Sequence, residues 1–203
     1  MHRQTRDLTE GRPLPLLVSF SLPLMVGNVF QQMYTVVDTA VVGKALGVGA
    51  LAALGASDWL NWMMLGVIQG LTQGFGIMMA QDFGSRQMDR LRRTIGASAV
   101  LSAIGALVLL AVGQVAIAPI LRLLQTPDAI QGDTVLYLRV MFGGVPVVMA
   151  YNLFAGMIRS LGDSKTPLYA MMVASCVNIG LDLLFVLVFH WGIAGAAAAT
   201  LIA

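Results

Sequence analysis

Two acidic side chains, Asp38 and Asp182, stand inside runs of residues otherwise apolar enough to cross a membrane. A carboxylate at membrane depth costs roughly 2.5–3.5 kcal/mol even on lenient insertion scales, so its default reading is functional. Asn178 precedes Asp182 by one helical turn, which puts both polar groups on one helix face. Asn28, Gln31, Thr35 and Asp38 make a similar i, i+3/i+4 stripe, and Ser175 extends the one that ends at Asp182. Such stripes face a bundle interior or a watery cavity in preference to lipid. Amides and hydroxyls alone fit simple interhelical hydrogen bonding, worth about 0.6 kcal/mol each. Two acids do not, because packing has no use for a titratable group. Carboxyls that share a low-dielectric site cannot both ionise cheaply and titrate as a unit, so the pair can take up a proton near neutral pH. With Asn178 and Thr200 as neutral oxygen ligands, the same pair suits a hard cation such as Na+. Ligand type does not choose between H+ and Na+.

The elements that must position these groups are membrane helices. Of 203 residues, 58% are hydrophobic and only 11% charged, where a soluble domain carries about 25% charged. The mean hydropathy is +0.81, and an all-α integral membrane protein is the class this supports. A net charge of +2 with scattered bases excludes nucleic acid as a partner. Cys176 stands alone, so there is no disulfide framework, and no cofactor motif occurs. Residues 1–13 read as a polar tail, followed by apolar segments at about 14–42, 54–80, 94–117, 134–158, 167–189 and 192–203. Most exceed the ~20 residues a span requires. The last is short and runs to the end of the chain, so the expectation is a six-helix bundle with a truncated sixth helix, a fragment of a longer protein.

Nine basic residues fall in the tail and the two loops on its side (Arg86 to Arg93, Arg159 and Lys165), against Lys44, Arg122 and Arg139 on the other. That asymmetry predicts a multi-pass protein of the cell membrane with a cytoplasmic N-terminus. Pro23 and Pro146 each remove a backbone bond and favour a kink. Gly66, Gly70 and Gly74 recur every four residues, a pattern for close helix packing. Taking Val42, Phe189 and Gly192 as outer ends, Asp38, Asp182, Asn178 and Thr200 lie roughly 6, 10, 16 and 12 Å deep. They form one site only if their helices adjoin. Asn152 adds an amide in the fourth segment, Trp59 and Trp62 fit an interfacial belt, and Asp58 sits near enough to the outer surface to be hydrated.

These residues carry a family resemblance. The run Gln31-Gln32-Met33-Tyr34-Thr35-Val36-Val37-Asp38-Thr39-Ala40-Val41-Val42-Gly43, with Leu46-Gly47 and Ala52-Ala53-Leu54-Gly55 after it, resembles the first-helix signature of multidrug and toxic compound extrusion (MATE) transporters. Arg159-Ser160-Leu161-Gly162-Asp163-Ser164-Lys165-Thr166-Pro167 resembles the family's cytoplasmic loop between helices four and five. The likeness runs from about residue 14 to the end. It implies a twelve-helix antiporter of two lobes, this chain being most of the N-terminal lobe and the C-terminal lobe being missing from it. The resemblance to the DinF-like branch implies a cation site at Asp38, Asn178, Asp182 and Thr200, for H+ or Na+. It also implies that helix one bends at Pro23, and that drugs or toxins are exchanged for the cation. Gln32 and Tyr34 are then candidates to support the first helix or border the cavity.

Three rivals are weighed. A flippase for lipid-linked sugars of related architecture predicts a basic cavity, and the spans hold almost no Lys or Arg. An intramembrane aspartyl protease requires a Gly-x-Gly-Asp pattern, but Gly180-Leu181-Asp182 lacks it, so the chain is not read as an enzyme. An inactive isolated lobe is the third, since paired-repeat transporters work by moving one half against the other.

Overall fold

The computed structural model describes residues 13–203; the expected polar tail, save Pro13, lies outside the described residues. Among them there is no strand. The helices are α1 (Pro13–Leu46), α2 (Val48–Gly84), α3 (Met88–Leu123), α4 (Asp128–Gly143), α5 (Val145–Ser160), α6 (Lys165–Asp182) and α7 (Gly192–Ile202). A π-helical segment, Leu183–Val188, prolongs α6. Thus seven α-helices stand where six segments were expected. The added break is in the fourth segment, where α4 and α5 bend by 47° at Gly144. Pro146 explains it: the residue has no N–H for the carbonyl of Phe142, and its ring crowds that carbonyl. At Pro23 the helix is not interrupted, and α1 runs on as one element.

Helices α1, α2, α3 and the α6–π rod are each long and apolar enough to cross a membrane, and the bent pair makes a fifth when counted as one span. Leu107, Val115 and Val173 are all more than 60% exposed, as lipid-facing positions are in a bundle whose solvent is hydrocarbon. Helix α2 is the hub, packing on α3, α4 and α5, while α1 packs chiefly on α6, and α7 wedges between α4 and α6. One residue, Gly47, joins α1 to α2 at φ 85°. That left-handed conformation is open to glycine without the Cβ penalty, so two long helices are joined by a single residue.

The Gly66, Gly70 and Gly74 stripe does not pack as expected. All three are exposed, and a Cβ on any of them meets nothing within 4 Å. Close approach of α2 to a neighbour occurs instead at Gly76, where a Cβ would lie 3.8 Å from the Gly156 carbonyl oxygen of α5. A four-residue glycine period marks a smooth helix face, but it does not say which neighbour that face meets.

Two polar clusters fix the turns at the arginine-rich end. Asp82, 5% exposed, accepts a 2.6 Å hydrogen bond from the Thr94 hydroxyl and pairs with Arg90 Nε at 3.0 Å, tying α2 to α3. Asp163 accepts from the backbone N–H groups of Lys165 and Thr166 (2.9 and 3.0 Å) and from the Thr166 hydroxyl (2.6 Å), closing the start of α6. Burial pushes the Asp163 carboxyl up. The Thr166 hydroxyl, the two backbone donors and the Lys165 charge outweigh that and hold it below its usual 3.8.

Candidate functional site

The condition set by the sequence, that the acid-bearing helices adjoin, is met. Helix α1 lies along α6, and α7 touches both α1 and α6. The bottom of the α1–α6 contact is close: a Cβ at Gly27 would lie 3.3 Å from Met171 Sδ. One side of α6 is buried through Ser175, Asn178 and Asp182, the i, i+3, i+7 spacing of a single helix face.

On that face Asp182 is fully buried and Asn178 is 2% exposed. Asp38 is half-buried on α1, and its carboxyl is near enough to that of Asp182 for each to act on the other. Both oxygens of Asp182, Oδ1 of Asp38 and both polar atoms of the Asn178 amide are buried with no hydrogen-bond partner. Two carboxylates offer acceptors only, so they cannot satisfy one another unless a proton or a cation lies between them. Leaving such atoms unpaired costs about 1–3 kcal/mol apiece, more when charged.

Thr200, half-buried on α7, donates its hydroxyl to the Ala196 carbonyl at 3.1 Å, which leaves the oxygen's lone pairs available. Two carboxylates, an amide and a hydroxyl make an all-oxygen donor set suited to a proton or a small hard cation. Among the described residues no three His, Cys, Asp or Glu side chains gather anywhere, so neutral oxygens must complete any coordination here.

The remaining predicted residues divide. Tyr34 is half-buried one turn before Asp38 and feels its charge. Gln32 is exposed and lines a shallow groove of about 470 Å³ along α1, with Asn28, Val29, Met33, Val36 and Val37. The amide of Asn152 is turned back to the Val148 carbonyl at 2.9 Å, within its own helix α5. Its neighbour Tyr151 lies on the side of α5 near Tyr34. Tyr137 of α4 was also missed; it is 7% exposed and lies in the field of Asp38. A hydroxyl one turn after Thr134 in an apolar helix was the available signal.

Immediately past Asp182 the backbone widens into the π-helical turns, with Phe189 N–H donating to the Leu184 carbonyl at 2.9 Å. Phe185, Phe189 and Trp191 then stack with centroids 4.8 to 6.0 Å apart, locking the return into α7 that carries Thr200. Isolated π turns inside α-helices are frequent at functional sites.

The family model described as MatE matches residues 23–184. A protein of Bacillus subtilis described as probable multidrug resistance protein YpnP is 35% identical over 196 residues, covering 97% of this chain and 44% of that protein. DNA damage-inducible protein F of Escherichia coli is 26% identical over 187 residues, covering 90% and 40%. Among solved structures, the outward-facing form of a multidrug resistance MATE family transporter superposes with a TM-score of 0.92 at 27% identity, covering 100% of this chain and 44% of that one. A transporter of the MOP superfamily from Pyrococcus furiosus gives 0.91 at 28%, covering 97% and 43%. The chain spans less than half the length of these relatives.

Proposed function

This chain belongs to the MatE family of multi-pass membrane transporters, and from that premise we propose that it is the N-terminal lobe of a secondary active multidrug antiporter. The intact protein exports amphipathic, often cationic, compounds and takes in H+ or Na+ in exchange. The arginine-rich turns and the N-terminus face the cytoplasm, which puts the Asp38–Asp182 pair in the outer half of the bilayer.

One observation supports this reading above the others: two carboxyls from separate helices lie near enough to act on each other, and their buried oxygens lack partners. Asp38 and Asp182 bind the coupling cation, Asn178 and Thr200 orient it, and Tyr34 braces Asp38. Cation binding alters the hydrogen bonding around Asp38 and biases α1 about Pro23, which reshapes the cavity bordered by Gln32. A cation can shift that equilibrium only by binding the two states with different affinity.

The test uses the full-length protein in proteoliposomes. Asp38→Asn is expected to abolish efflux of an organic cation driven by an inward H+ or Na+ gradient. Undiminished gradient-driven efflux in that variant sinks the assignment.

A further inference from the structure

Helix α7 carries Thr200, yet the turn before it offers neighbours only methyl groups. Residues 196–199 are alanines, and Ala196, Ala197 and Ala199 are fully buried. Small side chains let helices approach closely, but they give little grip against rotation or sliding. Two large side chains follow Thr200. Ile202 is 64% exposed, which leaves Leu201 to anchor this end of α7.

The seat of Leu201 is the joint between α4 and α5, and α7 packs against α4. A Cβ on Gly144 would stand 2.6 Å from Leu201 Cδ1, 2.8 Å from its Cγ, and nearer still to its Cδ2. Non-bonded carbons rest ~3.5 Å apart or more, so the branched end of Leu201 fills the space any other side chain at 144 would need. The joint is fastened in turn. A Cβ on Gly113 of α3 would stand 2.8 Å from Phe142 Cγ, so the Phe142 ring fills a like notch in α3 two residues before Gly144. Towards its start, α7 lies against the π-helical segment at Gly195, where a Cβ would be 3.2 Å from Phe185 Cβ. Thr200 stands between these two holds. Successive residues of an α-helix point about 100° apart, so with Leu201 in the notch the Thr200 side chain has one fixed bearing.

This deepens the cation-site reading above and rests on it. We propose that Leu201 and Gly144 are positioning residues of that site: the leucine lodged in the glycine notch sets the rotation and height of α7 and so holds the Thr200 oxygen for the cation bound by Asp38 and Asp182. A ligand oxygen held ready adds to affinity, because less ordering is left to binding. Loosening the seat therefore raises the cation concentration needed for half-maximal transport and spares the maximal rate.

The experiment measures gradient-driven efflux of ethidium from proteoliposomes holding the full-length protein, with external H+ and Na+ titrated separately. For the cation that drives efflux, Gly144→Ala is expected to raise the half-saturating concentration about three- to tenfold, the worth of one neutral oxygen contact, with little change in maximal rate. Adding Leu201→Ala makes room for the new methyl group and should bring the value back to within about twofold of wild type. Thr200→Ala should shift it as Gly144→Ala does, and the two together should be no worse than either, since one acts through the other. Leu201→Ala alone empties the seat without a clash and should shift half-saturation in the same direction, which decides the case if Gly144→Ala does not fold. Unshifted values in both Gly144→Ala and Leu201→Ala, while Thr200→Ala is shifted, overturn the seat and leave the site standing. A Gly144→Ala shift that Leu201→Ala does not relieve, or that adds in full to that of Thr200→Ala, also overturns it. Coupling untouched in both Thr200→Ala and Asp38→Asn overturns the seat together with the reading beneath it.

Discussion

Gly195 is a point at which the fold and the candidate site are tightly joined. A Cβ there would stand 3.0 Å from Trp191 Cβ, 3.2 Å from Phe185 Cβ and 3.3 Å from the Phe185 carbonyl carbon. Ordinary carbon contacts begin near 3.5 Å, and none of these three atoms can rotate away, being backbone or the first atom of a side chain. Gly195→Val adds that Cβ and two methyls, so α7 must lift off the π-helical segment. Overpacking of this kind costs about 1–3 kcal/mol, and the better helix propensity of Val returns only about 0.4 kcal/mol. The net expectation is a loss of stability of about 0.6–2.6 kcal/mol. Gly55 is the control, because a Cβ at that exposed position meets nothing within 4 Å, so Gly55→Val should be close to neutral. Thermal unfolding in detergent, followed by a thiol-independent fluorescence probe, reads both variants. Asp182 lies three residues before Phe185 and Thr200 five after Gly195, so the displaced α7 should also weaken stabilisation by Na+ or protons. A Gly195→Val protein as stable as Gly55→Val, with its cation response intact, refutes this packing account.

Three further outcomes follow from the turns. Asp163→Ala removes three accepted hydrogen bonds at the start of α6 and should cost about 1–2 kcal/mol in thermal stability. Because the folded carboxyl titrates below its usual 3.8, its contribution is complete above that pH. It fades as pH falls through the lower folded value, so Asp163→Ala and wild type should converge in strongly acidic buffer and diverge above it. Asp82→Ala should cost about 1–3 kcal/mol for the buried, charge-assisted bond from Thr94. Arg90→Ala should cost under about 1 kcal/mol, since the Arg90 side chain is 67% exposed.

What the sequence made legible was whatever repeats or stands out locally. The apolar runs marked every span, and the two acids stood out against them. Segment ends came short: α2 begins at Val48 rather than near 54, because Gly47 turns the chain in one residue where a longer loop was expected. Pro146 is legible as a kink, but the size of the bend between α4 and α5 is not. Pro23, with the same chemistry, sits in an unbroken α1. The glycine stripe of α2 was visible and its packing partner was not. Tyr137 and Tyr151 went unread because each matters through a residue more than 90 positions away in the chain, and no single-helix pattern reports such a meeting. The same holds for the π turns after Asp182, where Leu183–Val188 has an ordinary apolar composition.

The most direct measurement of the shared pocket is infrared difference spectroscopy of the carboxyl C=O stretch while pH, and separately Na+, is titrated on the full-length protein in lipid. Carboxyls that bind one cation between them titrate as a unit. Asp38→Asn and Asp182→Asn should therefore each erase the same coupled signal, or move the surviving group's midpoint by more than one pH unit. Two independent signals, each unchanged when the other acid is removed, would contradict the account.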